Sequence, residues 1–318
     1  MSSPAPSADW ASQRERSNLW VLRLMRMIAV HAGRPAARLV LHPIALYFLL
    51  ANGRARRASR QYLAQVLQRP AGWLDSYRHI HGFAATVLDR VYLLQGRLAQ
   101  FEFDSRNVPA VEAVMAEGKG VVLMGAHLGS FEALRAAAQG VGTRAAMLMY
   151  EDNARLINAT LQAIAPEARL HTIALGRPGA MLALRRWLDD GGMAGLLADR
   201  TLPGASSGRS RTRRLPFLGR PAPFSDGPLR LAAMLRQRVF FMAGLYHGGR
   251  RYSLRFEPLA DFRATAPDRL EAEIAAALAR YVALLESMCR EAPYNWFNFY
   301  DFWQSDADVP DAPAAPSS

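Results

Sequence analysis

The stretch Val121-Val122-Leu123-Met124-Gly125-Ala126-His127-Leu128-Gly129-Ser130-Phe131-Glu132 changes character at its midpoint. Its first five residues form an unbroken β-prone apolar run bounded by glycine, which reads as a strand buried on both faces of a mainly parallel sheet. Ser130 or Gly129 then serves as N-cap of a helix predicted over residues 130–139, with Glu132 in its first turn. His127 falls in the loop between them, at the carboxyl end of a strand, where open α/β sheets collect reactive groups. Gly129 permits the sharp backbone turn that would bring an imidazole and a carboxylate together.

Working outward, β-prone runs recur at residues 144–150, 170–174, 193–198, 239–245 and 252–256. Helical periodicity separates the earlier ones, over residues 153–165, 178–190 and 227–236. This alternation implies βαβ crossovers and an α/β fold with a central sheet flanked by helices. Gly248-Gly249 between two strand-like runs reads as a hairpin, so the sheet is expected to be mixed at that edge. A short helix at 108–117 precedes the first strand and a long one at 271–290 closes the fold. Residues 17–97 carry helical periodicity only, including helices at 55–68 and 73–94. The expected organisation is a disordered N-terminus (1–16), a helical membrane-associating module (17–100), an α/β catalytic domain (101–304) and a disordered tail (305–318).

The chain has 318 residues, 51% of them hydrophobic, and a net charge of +12 with a pI near 10.6. Such a surface attracts polyanions, either nucleic acid or anionic lipid. No helix-turn-helix, zinc-finger, RNP-type or OB-type pattern accompanies the charge, which argues against nucleic acid. The placement of the arginines favours lipid. The run Leu-Val-Leu-His-Pro-Ile-Ala-Leu-Tyr-Phe-Leu-Leu-Ala at residues 39–51 is strongly apolar, yet short of the roughly 20 residues that span a bilayer. Arg34 and Arg38 precede it, and Arg54, Arg56, Arg57 and Arg60 follow. A helix lying at the cytoplasmic face of a membrane, with arginines on lipid phosphates, fits this pattern; a core helix is the alternative. No secretory signal is evident, because the first apolar stretch, near Leu19, is interrupted by Arg23 and Arg26. Cys289 is the sole cysteine, so neither an intrachain disulfide nor a cysteine-based metal cluster can form; it reads as a buried inert thiol. No metal or redox cofactor is implied.

The chemistry follows from which groups are present. The only G-x-S-x-G match, Gly204-Ala205-Ser206-Ser207-Gly208, lies in an arginine-rich loop rather than in a strand-to-helix elbow. With no protein nucleophile assigned, the simplest reaction is direct attack by a substrate hydroxyl whose proton His127 removes, with Glu132 as the carboxylate behind the imidazole. The bland alternative is a satisfied loop histidine and a first-turn acid placed by the helix dipole.

The segment Gly-Ala-His-Leu-Gly-Ser-Phe-Glu-Ala-Leu at 125–134 resembles the signature of the bacterial lipid A late acyltransferases, the lauroyl and myristoyl transferases, with their His-x4-Asp/Glu pair. Two later segments agree in order and spacing. Leu197-Ala198-Asp199-Arg200 resembles the family's strand ending in Asp-Gln, and Leu215-Pro216-Phe217-Leu218-Gly219 with Pro221-Ala222 resembles its Pro-Phe-Phe-Gly-x-Pro-Ala stretch. The resemblance covers residues 108–259. It implies a glycerolphosphate-acyltransferase-like fold and transfer of a fatty acyl group from an acyl carrier protein or coenzyme A thioester, a co-substrate rather than a cofactor. The acceptor would be a lipid hydroxyl, on a lipid A precursor, a polyene-linked lipid or another glycolipid. It further implies His127 as base, Glu132 as the carboxylate orienting it, Asp199 and Arg200 lining the crevice, and a location at the cytoplasmic face of the bacterial inner membrane.

Arg200 stands where the family more often has glutamine, and a further family arginine corresponds to Arg155, Arg169 or Arg177. Arg209, Arg211, Arg213 and Arg214 are expected to bind an anionic partner such as a lipid phosphate, phosphopantetheine or the acidic surface of a carrier protein. The aromatic run Asn-Trp-Phe-Asn-Phe-Tyr-Asp-Phe-Trp at 295–303 reads as an interfacial belt, an acyl-pocket wall or a core cap. That run and Tyr150-Glu151-Asp152-Asn153 resemble the branch associated with aryl polyene clusters. The competing reading from a different class is a non-catalytic anionic-lipid-binding protein.

Overall fold

The computed structural model describes residues 27–28, 31–106, 108–140, 144–150, 171–200 and 211–303. The apolar runs form strands as expected: Glu102–Arg106 (β1), Val121–Gly125 (β2), Ala145–Tyr150 (β3), His171–Leu175 (β4) and Met193–Leu197 (β5). A ribbon of Thr212–Phe217 (β6) and Arg220–Ser225 (β7) follows, then Arg238–Tyr246 (β8) and Arg251–Asp261 (β9). Seven of these make one α/β sheet in the order β1-β9-β8-β2-β5-β3-β4. Its neighbours are parallel except the hairpin β8–β9, which joins through the Gly248-Gly249 turn. Helices Gly33–Ala51 (α1), Gly53–Leu67 (α2), Trp73–Leu94 (α3), Val108–Ala116 (α4), Phe131–Gly140 (α5), Ala180–Asp189 (α6), Gly227–Met234 (α7) and Leu270–Glu291 (α8) flank it. The helix expected at 153–165 and both terminal tails lie outside the described residues.

Every residue of β2 is buried, and the period-2 geometry of a strand sends its side chains to opposite cores. Val122 and Met124 pack with Tyr62 and Leu63 of α2, Leu229 of α7 and Leu278 and Tyr281 of α8. Val121 and Leu123 pack with Ala37 and Leu41 of α1, Leu88 and Val91 of α3, and Ala133 and Leu134 of α5. The N-terminal helices are therefore a layer on the sheet and share its cores. Two elements escaped sequence reading. β1, a stretch given no strand in the sequence, is an edge strand with little burial to imprint an alternation. The β6–β7 ribbon, a stretch given no strand in the sequence, tolerates Pro216, Pro221 and Pro223 because it has only two strands and each keeps a free edge.

The basic residues around the apolar run divide into two groups. Arg34 is buried, donating to Asp89 at 2.8 and 2.9 Å and to the Gly249 carbonyl at 2.6 Å, while the Tyr252 hydroxyl donates to Asp89 at 2.9 Å. Arg38 reaches the Tyr246 hydroxyl at 2.7 Å. These two tie α1 to α3 and to the β8–β9 turn, so they are not the lipid contacts the sequence suggested. Arg54 and Arg57 are exposed. Beside them α1 presents Leu39, Leu46, Tyr47 and Leu50 to solvent, from 49% to 71% exposed. Among the described residues no single helix is long and apolar enough to cross a membrane; α1 and α2 pass that test only as a pair bent by 97°.

Removing one member of a buried ion pair strands the other. Asp89→Ala is expected to cost about 3–5 kcal/mol, read as a lowered denaturation midpoint, and Tyr252→Phe only about 1 kcal/mol. Equal midpoints for all three proteins would show that the Asp89 cluster contributes nothing to stability.

Candidate functional site

β2 and β5 are adjacent and parallel, with Gly125 opposite Leu197. Two residues beyond this pair, one on each chain segment, come His127 and Asp199. Neighbouring strands run about 4.8 Å apart, so matched register alone brings the two side chains within reach. His127 Nδ1 lies 2.8 Å from Asp199 Oδ1, and the His127 backbone N–H donates to Oδ2 at 3.1 Å. Trp296 Nε1–H donates to the same Oδ2 at 2.9 Å. A carboxylate can only accept, so Nδ1 carries a proton, and in the neutral imidazole Nε2 is the nitrogen that keeps a lone pair. Asp199 is fully buried, which by itself would raise its pKa. The His127 charge and hydrogen bond, Arg200 and the indole N–H outweigh burial and hold it down to about 2. The imidazole side chain remains 31% exposed.

Backbone packing sets the loop. Gly129 has φ +68°, and a Cβ there would land on the Gly244 carbonyl of β8. Its N–H donates to the Asn295 carbonyl at 2.9 Å, and the Ser130 N–H to the Gly244 carbonyl at 2.8 Å. Ser130 Oγ caps α5 by accepting from the Ala133 N–H at 3.2 Å. The Gly129 and Ser130 amides are therefore already committed to backbone carbonyls. Across the loop the Phe297 N–H donates to the His127 carbonyl at 2.7 Å. The aromatic run is thus a core cap that clamps the histidine loop. Trp296 is wholly buried, with Tyr62, Phe217 and Phe302 packed edge-on around it at 5.0, 5.2 and 4.9 Å between ring centroids.

Glu132 goes elsewhere. Among the described residues the carboxylate bonded to His127 is Asp199, whereas Glu132 pairs with Arg90 of α3, 2.7 Å from its Nε, and accepts from Ser130 Oγ at 3.3 Å. The first turn of α5 directs Glu132 toward α3, because α5 packs its buried face between that helix and the sheet. Arg200, next to Asp199, lays its guanidinium 5.6 Å from the centre of the Tyr300 ring. Arg211 and Arg213 sit at the start of the ribbon near Asp226, which accepts from the Arg211 N–H at 2.7 Å and lies 3.8 Å from Arg213. Arg214 is half-buried on β6. The structure therefore groups His127, Asp199 and Arg200, and holds Arg211, Arg213 and Arg214 on the ribbon whose Phe217 abuts Trp296. Arg209, Arg155 and Arg169 lie outside the described residues.

Sequence reading missed Trp296, Arg90 and His79. Only Trp296 left a signal, in the density of the aromatic run. His79 of α3 is fully buried, bridging Ser59 Oγ at 2.9 Å and the Trp296 carbonyl at 2.8 Å. Burial lowers its pKa from 6.5 to about 4, against the opposing pull of the Trp296 carbonyl. The unfolded chain therefore takes up a proton below pH 6.5 that the folded one refuses until about pH 4. Stability from this residue is full above pH 6.5 and is lost as pH falls to about 4, a change on the order of 3 kcal/mol. Thermal melts across that window should fall more steeply for the natural protein than for His79→Gln; parallel curves would remove His79 as the cause.

A family model for bacterial lipid A biosynthesis acyltransferases matches residues 81–305, which include α5, the whole sheet and the aromatic run. No curated protein matches the chain.

Proposed function

The chain belongs to the bacterial lipid A biosynthesis acyltransferase family, and on that premise we propose that it moves a fatty acyl group from a carrier-protein or coenzyme A thioester to a lipid hydroxyl, with His127 as general base. The observation that carries this reading is the buried Asp199 carboxylate accepting from Nδ1 of His127, a side chain that stays 31% exposed, so that in the neutral imidazole Nε2 is the nitrogen with a free lone pair. Nε2 takes the acceptor hydroxyl's proton as the oxygen bonds to the thioester carbonyl carbon. The tetrahedral intermediate then collapses, the C–S bond breaks, and the imidazolium returns the proton to the departing thiolate. Asp199 stabilises the imidazolium without becoming protonated. Arg200 is the cation best placed to meet the developing oxyanion, since the nearest loop amides are spent on Gly244 and Asn295. Arg211, Arg213 and Arg214, with Arg209, serve the anionic part of donor or acceptor.

Release of free carrier thiol from an acyl carrier protein thioester, in the presence of a hydroxylated lipid, measures the reaction. His127→Ala should lower turnover about 10²–10⁴-fold, and Asp199→Asn should do likewise by releasing the imidazole tautomer. Full turnover in His127→Ala sinks the mechanism.

The exposed apolar face of α1, with Arg54 and Arg57 alongside, supports membrane attachment at the cytoplasmic face of the inner membrane through residues 17–100. Leu46→Glu with Leu50→Glu should weaken co-sedimentation with anionic vesicles about tenfold or more while leaving the melting curve in place. Unchanged sedimentation would assign attachment to another surface.

A further inference from the structure

Helix α3 reaches the catalytic loop at two separate points. At its middle, His79 Nε2–H donates to the Trp296 carbonyl, and the indole of that same tryptophan donates to Asp199. Near its end, Arg90 meets Glu132 at 2.7 Å. The residue before it, Asp89, is locked by Arg34 and Tyr252, so α3 cannot slide or rotate without breaking a buried ion pair. Arg90 is thus delivered to Glu132 by a helix fixed on both sides of it.

The carboxylate so held is only 12% exposed, one helical turn from the histidine loop, and it does not share the imidazole with Asp199. Arg135 of its own helix also acts on it electrostatically, and Ser130 Oγ is its hydroxyl partner. Without Arg90, a carboxylate this poorly hydrated lacks its close counter-charge. Freed of Arg90, Glu132 would reorient toward Arg135 of its own helix or toward the imidazolium formed at His127 during transfer.

We infer that Arg90, from a helix outside the catalytic sheet, is a positioning residue for acyl transfer that acts through Glu132. It keeps two carboxylates in separate tasks, Asp199 behind the imidazole and Glu132 beside the incoming hydroxyl. The inference rests on the acyltransferase reading above.

The test is a double-substitution cycle in the thiol-release assay, using full-length protein, with Arg90→Gln, Glu132→Gln, both together, and Arg90→Lys. Arg90→Gln should lower kcat about tenfold or more with KM for the thioester within about twofold. The double variant should be no slower than Glu132→Gln alone, because the arginine has nothing left to hold. Arg90→Lys, which keeps the charge, should recover part of the loss, and melting curves identify any variant that fails to fold. Wild-type kcat in Arg90→Gln or in Glu132→Gln overturns the inference, as does a double variant whose loss is the product of the single losses. His127→Ala separates the two claims: if it retains turnover the acyltransferase mechanism fails, whereas if it is inactive and Arg90→Gln is unaffected only the role of Arg90 fails.

Discussion

A buried carboxylate is costly unless its lone pairs are filled, and Asp199 fills them from three directions. The imidazole and the amide of His127 come from the loop after β2, and the indole N–H comes from the aromatic run nearly a hundred residues later. Each donor constrains a different part of the chain. β2 and β5 must keep their register, the loop must turn at Gly129, and Trp296 must be seated between Tyr62 of α2 and Phe217 of the ribbon. The His127 imidazole is consequently fixed by the core and not by its own loop, which is how a side chain on a connection acquires a defined tautomer and direction.

The N-terminal helices have two faces with opposite tasks. Inward, Arg34, Asp89, His79 and Arg90 form polar contacts that pin the helices to the sheet and to the site. Outward, α1 exposes a stripe of leucines and a tyrosine that no part of the described protein covers. Buried polar pairs add little net stability but penalise alternative packings heavily, since any shift would strand a charge. The helix layer thus stands between an apolar outer stripe and the histidine loop and is held rigidly against the latter.

Much of this was legible beforehand. The runs at 121–125, 193–198 and 239–245 are apolar without alternation because both faces of those strands are covered, and that composition identifies a buried parallel sheet. The edge strand β1 was not legible, since a strand with solvent on most of its surface carries no burial pattern. Arg34 and Arg38 misled for a related reason: a guanidinium bound for a buried carboxylate reads the same in sequence as one bound for a phosphate.

The site divides along the same line. By itself the sequence determined that an imidazole follows one buried apolar run and an aspartate another, and that glycine follows the histidine where the chain must turn. It also placed Glu132 near His127, because five residues and a helix cap leave little other room. Which carboxylate the imidazole uses was decided by strand pairing, which sets Gly125 against Leu197 and so joins groups 72 residues apart, while the direction of the first helical turn sends Glu132 to Arg90. Distance along a chain limits which groups can meet; only the hydrogen-bonded register of the sheet and the packing of a neighbouring helix choose among them.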